Sequence, residues 1–527
     1  MIQSDRTASC RNEPRDGPPV APLPVTGTAA PAAERAATLP ATGRGTRAAT
    51  GRHPLTAVPR PLPTDRARGS ISPMQTMQTT PSTDRTESVE PPRPTGTTTR
   101  TTPSPRPPSD APAPLPGPDS GPEPGPDSGP VSGLHLYLLA LNPTDAVSEG
   151  YLPAAAQLGL DITLLTDQPE AHRARHPGLT VLHCDVRDHH AVISTISAHR
   201  APDAVFSNSD HLQTVTALAA DYFGLPAKDW RATLRAKDKA QMRRALAATG
   251  DHRVHSVELA ADQDPAALTG VPYPCVLKPR EGVASEDVVH IDDEAAFLRR
   301  CAEIRARRPG AALVAEEYLP GELGTLETLG DGHRLHVIGG FRTDLSPLPY
   351  FIEERLTYVP AHPAPVVAQV LAALDTLGVG FGVCHTEFVV HHGRARIIEV
   401  NYRSIGDQGD LILQRLLGIP LFAHVLLVHL GRRLPADLGA RTGGAARLDY
   451  PVADRAGTLT AAPGPADLTL GDVTLTYRPA RAVGERHPLY RTNRDYLGTV
   501  RATGPDQSAV DRAVTGFLAR QSWEITP

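Results

Sequence analysis

The spacing of apolar and polar positions first becomes regular near Gly133. Short apolar runs such as LHLYLLAL, DITLLT, LTVLHC and DAVFSN alternate with segments of helical spacing near residues 151–158, 189–198 and 210–222. Strands interleaved with helices in this way are typical of a parallel α/β sheet. The sequence therefore predicts a parallel α/β domain over residues 133–228. Its first loop, NPTDAVSEG, falls where open α/β sheets bind ligands.

The rest of the chain mixes helical and strand periodicity. The basic segment DWRATLRAKDKAQMRRALAATG predicts one helix, mixed strands and helices follow to about Gly409, and DLILQRLLGIPLFAHVLLVHLG predicts a helix pair. From about Arg433 the pattern gives short strands, among them DVTLTYRP and YLGTVRATG, and a closing helix, QSAVDRAVTGFLARQS. We therefore expect a central domain over residues 229–432 and a small α+β unit over residues 433–527.

Residues 1–132 have a different composition, rich in Pro, Thr, Arg, Gly and Ala, as in TTPSPRPPSDAPAPLPGPDSGPEPGPDSGP. Such a segment cannot bury enough apolar surface to offset the entropy of ordering, so it is predicted to be a disordered tail. An Arg-rich, acid-poor start is typical of organellar transit peptides, but no amphipathic helix supports that interpretation. A start codon placed too far upstream, with Met74 or Met77 as the true start, and a real linker or tether stay open as alternatives.

Charge and cysteine usage exclude several function classes. The 527 residues carry a formal net charge of -5, which gives no electrostatic case for nucleic acid or for an anionic membrane. The most apolar stretch, IPLFAHVLLVHLG, is too short to span a bilayer. The five cysteines are odd in number and lack metal-binding spacing, which argues against a disulfide framework or structural zinc and favours a cytoplasmic location. They are Cys10, Cys184, Cys275, Cys301 and Cys384.

The segment GVCHTEFVVHHGRARIIEVNYR carries the most informative polar pattern. Two apolar strands flank a turn centred near Gly393, so Glu387 and Glu399 should face each other, with Cβ atoms about 5 Å apart. Opposed like charges destabilise a sheet unless a cation lies between them. Two carboxylates and the oxygen of Asn401 suit Mg²⁺, and Arg403 offers a guanidinium for phosphate or carboxylate. The alternative is a solvated hairpin face with two chance acids.

Two further stretches favour a nucleotide site. In YPCVLKPREGVASEDVVHI a strand ends at Lys278, and a lysine there is costly unless it meets an anion. In AALVAEEYLPGELGTLETLGDG an acidic connection joins two strands and can present backbone groups to a planar base. Lys237 and Lys239 lie on the basic helix. For any one of these lysines a solvated surface position is the simpler explanation.

In this order the motifs resemble the ATP-grasp superfamily of ATP-dependent ligases, from about Gly133 to the C-terminus. The resemblance implies a three-part architecture of mixed α/β and α+β class: an N-terminal parallel domain, a central ATP-grasp domain and a small C-terminal unit. It implies ATP and Mg²⁺ (or Mn²⁺) as cofactors. The family pattern E-x(11)-E-x-N-x-R matches Glu387, Glu399, Asn401 and Arg403. By that match the first three are metal ligands, and Asn401 and Arg403 are catalytic.

The resemblance also implies nucleotide contacts. Lys239 and Lys278 would contact ATP phosphates and the adenine side. In the acidic hinge EEYLPGE, which also holds Glu317, Glu316 would accept the adenine amino group and Leu319 would offer its backbone N–H. Ser285 lies near the usual tip of a phosphate-binding loop.

Two departures from the family pattern stand out. The loop PREGVASEDV keeps only Gly282, whereas the family has several glycines there, so we expect a stiffer or differently closed loop. Leu323 occupies the position of the ribose-binding acid, with Glu322 or Glu327 as candidate substitutes.

The resemblance implies that a carboxylate is activated as an acylphosphate and then joined to an amine. Similarity is closest to amino-acid ligase and siderophore-biosynthesis members, which predicts an amide bond between small metabolites. Glu353 would pair with a substrate amine and Arg342 with a carboxylate, although ordinary loop charges are the simpler explanation. No nucleic-acid or membrane partner is expected, and a homodimer is compatible with the resemblance.

Two rival functions stay open. A biotin-carboxylase-like enzyme using bicarbonate would need a separate biotinylated partner, because no carrier MKM segment occurs. A nucleotide-binding regulator without turnover is favoured by the glycine-poor loop, but the complete set of two acids, amide and arginine argues against it.

Overall fold

The computed structural model describes residues 129–250, 252–440 and 443–527. The predicted disordered tail, with Cys10, Met74 and Met77, therefore lies outside the described residues except for positions 129–132. The four remaining cysteines are buried and unpaired.

Four parallel strands form the first sheet, in the order β3-β2-β1-β4, which confirms the predicted parallel α/β arrangement. A π-helical turn, Ala146–Tyr151, follows β1 and leads directly into the first helix. The strands are β1 His135–Leu139, β2 Asp161–Thr166, β3 Thr180–His183 and β4 Ala204–Phe206; the helices are α1 Leu152–Leu158, α2 Pro169–Arg175, α3 His189–His199 and α4 Gln213–Tyr222.

The basic segment forms two helices, α5 Trp230–Lys237 and α6 Lys239–Ala248, so the prediction of one continuous helix is wrong. The break lies at Asp238, whose side chain accepts hydrogen bonds from the backbone N–H groups of the first turn of α6. An aspartate in this role caps a new helix and prevents continuation of the old one. Lys237 and Lys239 consequently lie on different helices.

A four-stranded antiparallel sheet follows, in the order β5-β8-β6-β7, with one long helix packed on it. Its elements are β5 Ser256–Leu259, β6 Cys275–Pro279, β7 Val289–Ile291, α7 Glu294–Arg307 and β8 Leu313–Glu317.

The largest sheet has nine strands, in the order β13-β12-β9-β10-β11-β14-β19-β17-β16. Three short strands form a separate sheet, β18-β15-β20. The strands are β9 Leu323–Asp331, β10 Leu335–Leu345, β11 Glu353–Val359, β12 Phe381–His391, β13 Arg394–Asn401, β14 Ala445–Asp449, β15 Gly457–Ala461, β16 Ala466–Leu470, β17 Val473–Pro479, β18 Arg486–His487, β19 Gly498–Gly504 and β20 Glu524–Thr526. The helices are α8 Ala364–Leu377, α9 Gly409–Leu417, α10 Leu421–His429 and α11 Gln507–Leu518.

Apolar side chains on both faces of the nine-stranded sheet fix its position. Helices α5, α6 and α8 pack beneath β9, β12 and β13, and α11 packs on β14, β17 and β19. The sheet continues past residue 432, because β14 pairs with β11. The division into domains at residues 228 and 432 stays a prediction.

Helices α9 and α10 confirm the predicted helix pair. Among the described residues no single helix is long and apolar enough to cross a membrane; α9 and α10, bent by 105° at their junction, pass that criterion only as a pair.

Candidate active site

A cavity of about 950 Å³ lies between the parallel sheet, the four-stranded sheet and the nine-stranded sheet. This volume is typical of small-molecule and cofactor sites. Its walls include most of the residues that the sequence singled out: Lys239, Lys278, Ser285, Glu316, Glu317, Leu319, Glu353, Glu387, Glu399, Asn401 and Arg403. Glu322 and Arg342 do not line it.

The hairpin β12–β13 places Glu387 directly opposite Glu399, as the sequence predicted. The pairing arises differently from the symmetric hairpin about Gly393 that the sequence analysis assumed. The turn consists of His392 and Gly393, both with positive φ, the conformation of a type I′ turn, and it pairs His391 with Arg394. One irregularity then shifts the register, because Phe388 pairs with Ile397 while Glu387 pairs with Glu399. The bulged residue, Ile398, therefore brings the two carboxylates opposite each other.

Six polar side chains form two rows across strands β9, β12 and β13. In one row Glu387 stands between Thr325 and Glu399; in the other His385 stands between Glu327 and Asn401. Because alternate residues of a strand share a face, all six project to the same side of the sheet. We call this set the polar grid.

Cationic side chains compensate the facing acids of the grid. Lys239 donates to Oε1 of Glu399 at 2.9 Å and to the carbonyl of Gly282 at 3.3 Å. Burial alone would lower the pKa of Lys239, but the charge and hydrogen bond of Glu399 raise it above its usual value. Nε2 of His385 lies 3.5 Å from Oε1 of Glu387.

The pKa values of the second pair follow the same logic. Burial would raise the pKa of Glu387, but its interaction with His385 and the charges of Lys239 and Arg403 lower it. Burial would lower the pKa of His385, but Glu327 and Glu387 raise it to about 10. At neutral pH Glu387 is therefore negatively charged and His385 positively charged.

The donor set fits a magnesium ion. Glu387, Glu399 and Asn401 supply hard oxygen ligands from one face of the grid, and Asn401 is 5% exposed. In the described part of the chain no three His, Cys, Asp or Glu side chains are grouped to hold a metal. Magnesium bound through one or two carboxylates and substrate phosphates needs no such cluster.

In the cavity wall, Glu316 joins two buried cations. Arg243 donates to Oε1 at 2.8 Å and to Oε2 at 2.6 Å, and Nζ of Lys278 lies 2.7 Å from Oε2. Burial would raise the pKa of Glu316, but these two charges lower it to about 2. Burial also lowers the pKa of Lys278, although Glu316 opposes that shift.

This network changes the expected role of Glu316. Both of its carboxylate oxygens already accept hydrogen bonds, so the geometry favours a structural bridge over direct acceptance of an adenine amino group. Arg243 also donates to the carbonyls of Ile397 and Ile398, at 2.6 and 3.3 Å. The bulge in β13 thus presents two successive carbonyls to the cation that neutralises Glu316.

An apolar slot lies beside the hinge that follows β8. Leu319, Leu323, Val389 and Ile398 pack together there and line the cavity. Such a slot suits a planar aromatic base. The side chain of Glu317 accepts the backbone N–H of His255 at 2.9 Å, which ties the hinge to the strand beside it.

Neither candidate for a ribose-binding acid reaches the cavity. Glu322 is exposed outside it, and Glu327 is buried in the polar grid behind His385. Leu323 stands where the family pattern has an acid, and neither Glu322 nor Glu327 replaces that acid in the cavity.

The glycine-poor loop after Lys278 is folded tightly. Ala284, Ser285 and Asp287 all have positive φ, which side chains rarely adopt. Arg308 pairs with Glu286 and Asp287, and Arg494 lies 3.4 Å from Glu286. The loop is thus held by ion pairs where the family pattern has glycines, and its greater stiffness stays a prediction.

The end of the cavity away from the hinge carries open carboxylates. Asp407 and Glu353 line it, and among the described residues the Glu353 carboxylate has no hydrogen-bond or ion-pair partner. Burial, with the charges of Glu387 and Asp407, raises the pKa of Glu353 to about 8. Tyr450 and Tyr496 stack at 4.5 Å and donate to the backbone carbonyls of Asp407 and Glu353.

The structure does not bring Arg342 to this end. Thr343 lines the cavity, so its strand neighbour Arg342 faces the opposite side of β10, where it lies 3.6 Å from Asp344. A role for Arg342 in binding a substrate carboxylate therefore lacks geometric support.

Several residues in or beside the cavity were not predicted from the sequence. Two of them carried a usable signal. Arg243 follows Lys239 by one helical turn, and His385 precedes Glu387 by one strand period. Tyr450 and Tyr496 come from remote segments, Asp407 lies in the loop four residues after Arg403, and none of the three carried a signal.

Two curated relatives match parts of the chain. D-alanine–D-alanine ligase of Acidiphilium cryptum is 31% identical over 183 residues, 32% of this chain and 57% of the relative. Carnosine synthase 1 of Gallus gallus is 27% identical over 322 residues, 55% of this chain and 34% of the relative. The chain thus spans only part of the length of either relative. No family model matches.

Solved structures share the fold over a larger part of the chain. The L-amino acid ligase of Bacillus licheniformis superimposes with a TM-score of 0.61, covering 75% of this chain and all of that one, at 20% identity. The superposition shows a common fold, and at this identity the fold alone.

Proposed function

We propose that this chain, which has the ATP-grasp fold, is an ATP-dependent ligase that activates a carboxylate as an acylphosphate and joins it to an amine. One observation carries the proposal: the facing carboxylates of Glu387 and Glu399 share a cavity with Lys239, Lys278 and Arg403. A site that only bound a nucleotide would have less need of this set.

The first step transfers the outer phosphoryl group of ATP. A substrate carboxylate oxygen attacks the γ-phosphorus, the bond to the β-phosphate oxygen breaks, and ADP leaves with the electron pair. Phosphoryl transfer depends on positioning and on charge neutralisation more than on covalent help from the protein. Lys239 and Lys278 hold phosphate oxygens. A magnesium or manganese ion held by Glu387, Glu399 and Asn401 would neutralise charge on the outer phosphates.

The second step forms the amide bond. The amine nitrogen attacks the carbonyl carbon of the acylphosphate, the carbon–oxygen bond to phosphate breaks, and inorganic phosphate leaves as the nitrogen loses a proton. Arg403 lines the cavity and binds the acylphosphate or the oxyanion that follows.

Amino acids are the proposed substrates. The names of the D-alanine–D-alanine ligase and the L-amino acid ligase support this class. The open Glu353 carboxylate supports it as well, because it suits the ammonium group of an amino acid. A role in siderophore or other secondary metabolism, a homodimer and a cytoplasmic location stay predictions.

A release assay tests the proposal. The protein is incubated with ATP, Mg²⁺ and pools of amino and hydroxy acids, with and without amines, and ADP is measured. We expect release that depends on a carboxylate, and a hydroxamate when hydroxylamine replaces the amine. Release that depends on bicarbonate alone would favour the carboxylase alternative. Saturable ATP binding without release under any condition would favour a regulator and contradict the ligase.

A further inference from the structure

His385 stands between two carboxylates in the polar grid. Its Nδ1 lies 2.7 Å from Oε1 of Glu327, and its Nε2 lies 3.5 Å from Oε1 of Glu387. The residues are cross-strand or alternate neighbours on β9 and β12, so the backbone register fixes the order Glu327, His385, Glu387. Each nitrogen of the His385 ring therefore lies next to one carboxylate.

Glu327 is held by a second contact at the same oxygen. Its Oε1 also accepts the hydroxyl of Thr325 at 2.8 Å, and the residue is 1% exposed. It does not line the cavity. A carboxylate buried this completely is costly, and an apolar residue would pack between the strands at lower cost. The Glu327 carboxylate fixes the imidazole ring of His385 through Nδ1, and Nε2 of that ring then faces Glu387.

We propose that His385, anchored by Glu327, is a positioning residue that sets the orientation of the Glu387 carboxylate for the metal–nucleotide complex. The inference rests on the proposed function, because it concerns the same cavity. A carboxylate free to rotate would have to be ordered when the metal–nucleotide complex binds, and that entropy cost would lower the affinity. Because the His385 ring orders the Glu387 carboxylate before the complex binds, this entropy cost is not incurred on binding.

Two substitutions at one position separate the two contacts. H385N keeps an amide near the Nδ1 position, within reach of Glu327, but loses the contact with Glu387. H385Q keeps an amide near the Nε2 position and so retains a donor toward Glu387. E327Q leaves the shape of the network and removes the anchoring charge. H392N, at the turn of the same hairpin, is the matched control, since Asn accepts the positive φ found there.

The measurement is binding, so turnover is not required. Mn²⁺–ADP binding is followed by electron paramagnetic resonance of the manganese, and metal-free ADP binding by calorimetry. H385N is expected to weaken Mn²⁺–ADP binding about tenfold or more, with metal-free ADP binding unchanged. H385Q should recover part of the loss, E327Q should show an intermediate loss, and H392N should match the wild type.

The outcomes separate this inference from the proposed function. Folded H385N and E327Q proteins that bind Mn²⁺–ADP like the wild type would overturn the positioning role and leave the ligase proposal standing. Equal loss of metal-free and metal-bound ADP affinity would show a structural role only. If H385N does not fold, E327Q decides by the same criterion. A wild-type protein that binds no Mn²⁺–ADP would overturn both.

Discussion

The proposed phosphate end of the cavity takes its acids from two strands of one hairpin in the nine-stranded sheet, whereas the proposed substrate end takes its polar side chains from separate segments of the chain. The grid lies on β9, β12 and β13, and four of its residues belong to one hairpin. At the other end, four different segments contribute: Glu353, Asp407, Tyr450, and the neighbouring pair Asn493 and Tyr496.

The difference shows two ways of building a site. A hairpin orients its acids through local register, and long-range contacts such as that between Lys239 and Glu399 then supply the cations. The substrate end depends on the C-terminal strands continuing the same sheet, which brings Asn493 to accept the backbone N–H of Glu353 at 3.2 Å. Under the proposed function, a change in the C-terminal segment would alter substrate choice and leave the geometry of the facing acids unchanged.

The largest expected effect comes from breaking the buried bridge at the phosphate end. E316Q leaves Arg243 and Lys278 buried without their counter-charge, which should lower the free energy of unfolding by about 3–5 kcal/mol in urea denaturation. The pKa of Glu316 is about 2, below its usual 4.5, so its contribution is full above pH 4.5 and lost as the pH falls towards 2.

The matched control for that variant is E258Q. Glu258 pairs with Arg244 on the surface of the neighbouring strand, so its loss should cost less than about 1 kcal/mol. Equal effects of E316Q and E258Q would contradict a buried bridge.

The next effect is measured on substrate-dependent turnover. E399Q removes one of the facing charges and leaves Lys239 without its partner, so substrate-dependent ADP release should fall by about 10²–10³-fold, the loss seen when a main electrostatic group is removed. Unchanged turnover would remove Glu399 from the site. E322Q is the control: Glu322 is exposed outside the cavity, and a loss of ATP affinity in that variant would restore it as a ribose-binding acid.

A smaller effect should appear at the substrate end. E353Q removes a carboxyl group whose raised pKa a bound ammonium would lower again; the charged hydrogen bond that forms is worth about 1.5–3 kcal/mol, so KM for the amino-acid substrate should rise roughly tenfold or more. Mn²⁺–ADP affinity should stay within twofold or so of the wild type. The exposed neighbour supplies the control, E354Q. A rise in KM for ATP instead would place Glu353 at the phosphate end.

The smallest effect tests the stiff loop. R494A removes the ion pair with Glu286, and because exposed pairs contribute about 0.2–1 kcal/mol, ADP dissociation should quicken only a few-fold in stopped-flow measurements. R455A, which removes an exposed pair with Asp454 in the same C-terminal region, should leave the rate unchanged. A rate unaffected by R494A would mean that Arg494 does not restrain the loop.

Local patterns predicted the phosphate end from sequence. Alternation placed Glu399 and Asn401 on one face, the turn paired Glu387 with Glu399, and the ATP-grasp fold implied by those motifs is confirmed. The symmetric hairpin gave the right pair through a compensating bulge, because the pattern of Ile397 and Ile398 does not show which residue is looped out.

Other features could not be read from spacing. The cap at Asp238 divides a segment whose helical periodicity is nearly continuous, and the facing direction of Arg342 depends on which side of β10 meets the cavity. The Glu316 carboxylate is bound by Arg243 and Lys278, which lie on two other elements. These are long-range contacts, which a single sequence does not encode locally.

The pairing of β14 with β11 limits how the protein can be shortened. Removing everything after residue 432 would uncover the backbone of β11 at Arg355, Leu356 and Thr357. An uncovered central strand is a template for association with other chains. A fragment that ends there would aggregate, and chimaeras that exchange substrate preference should be joined within loops beyond β14.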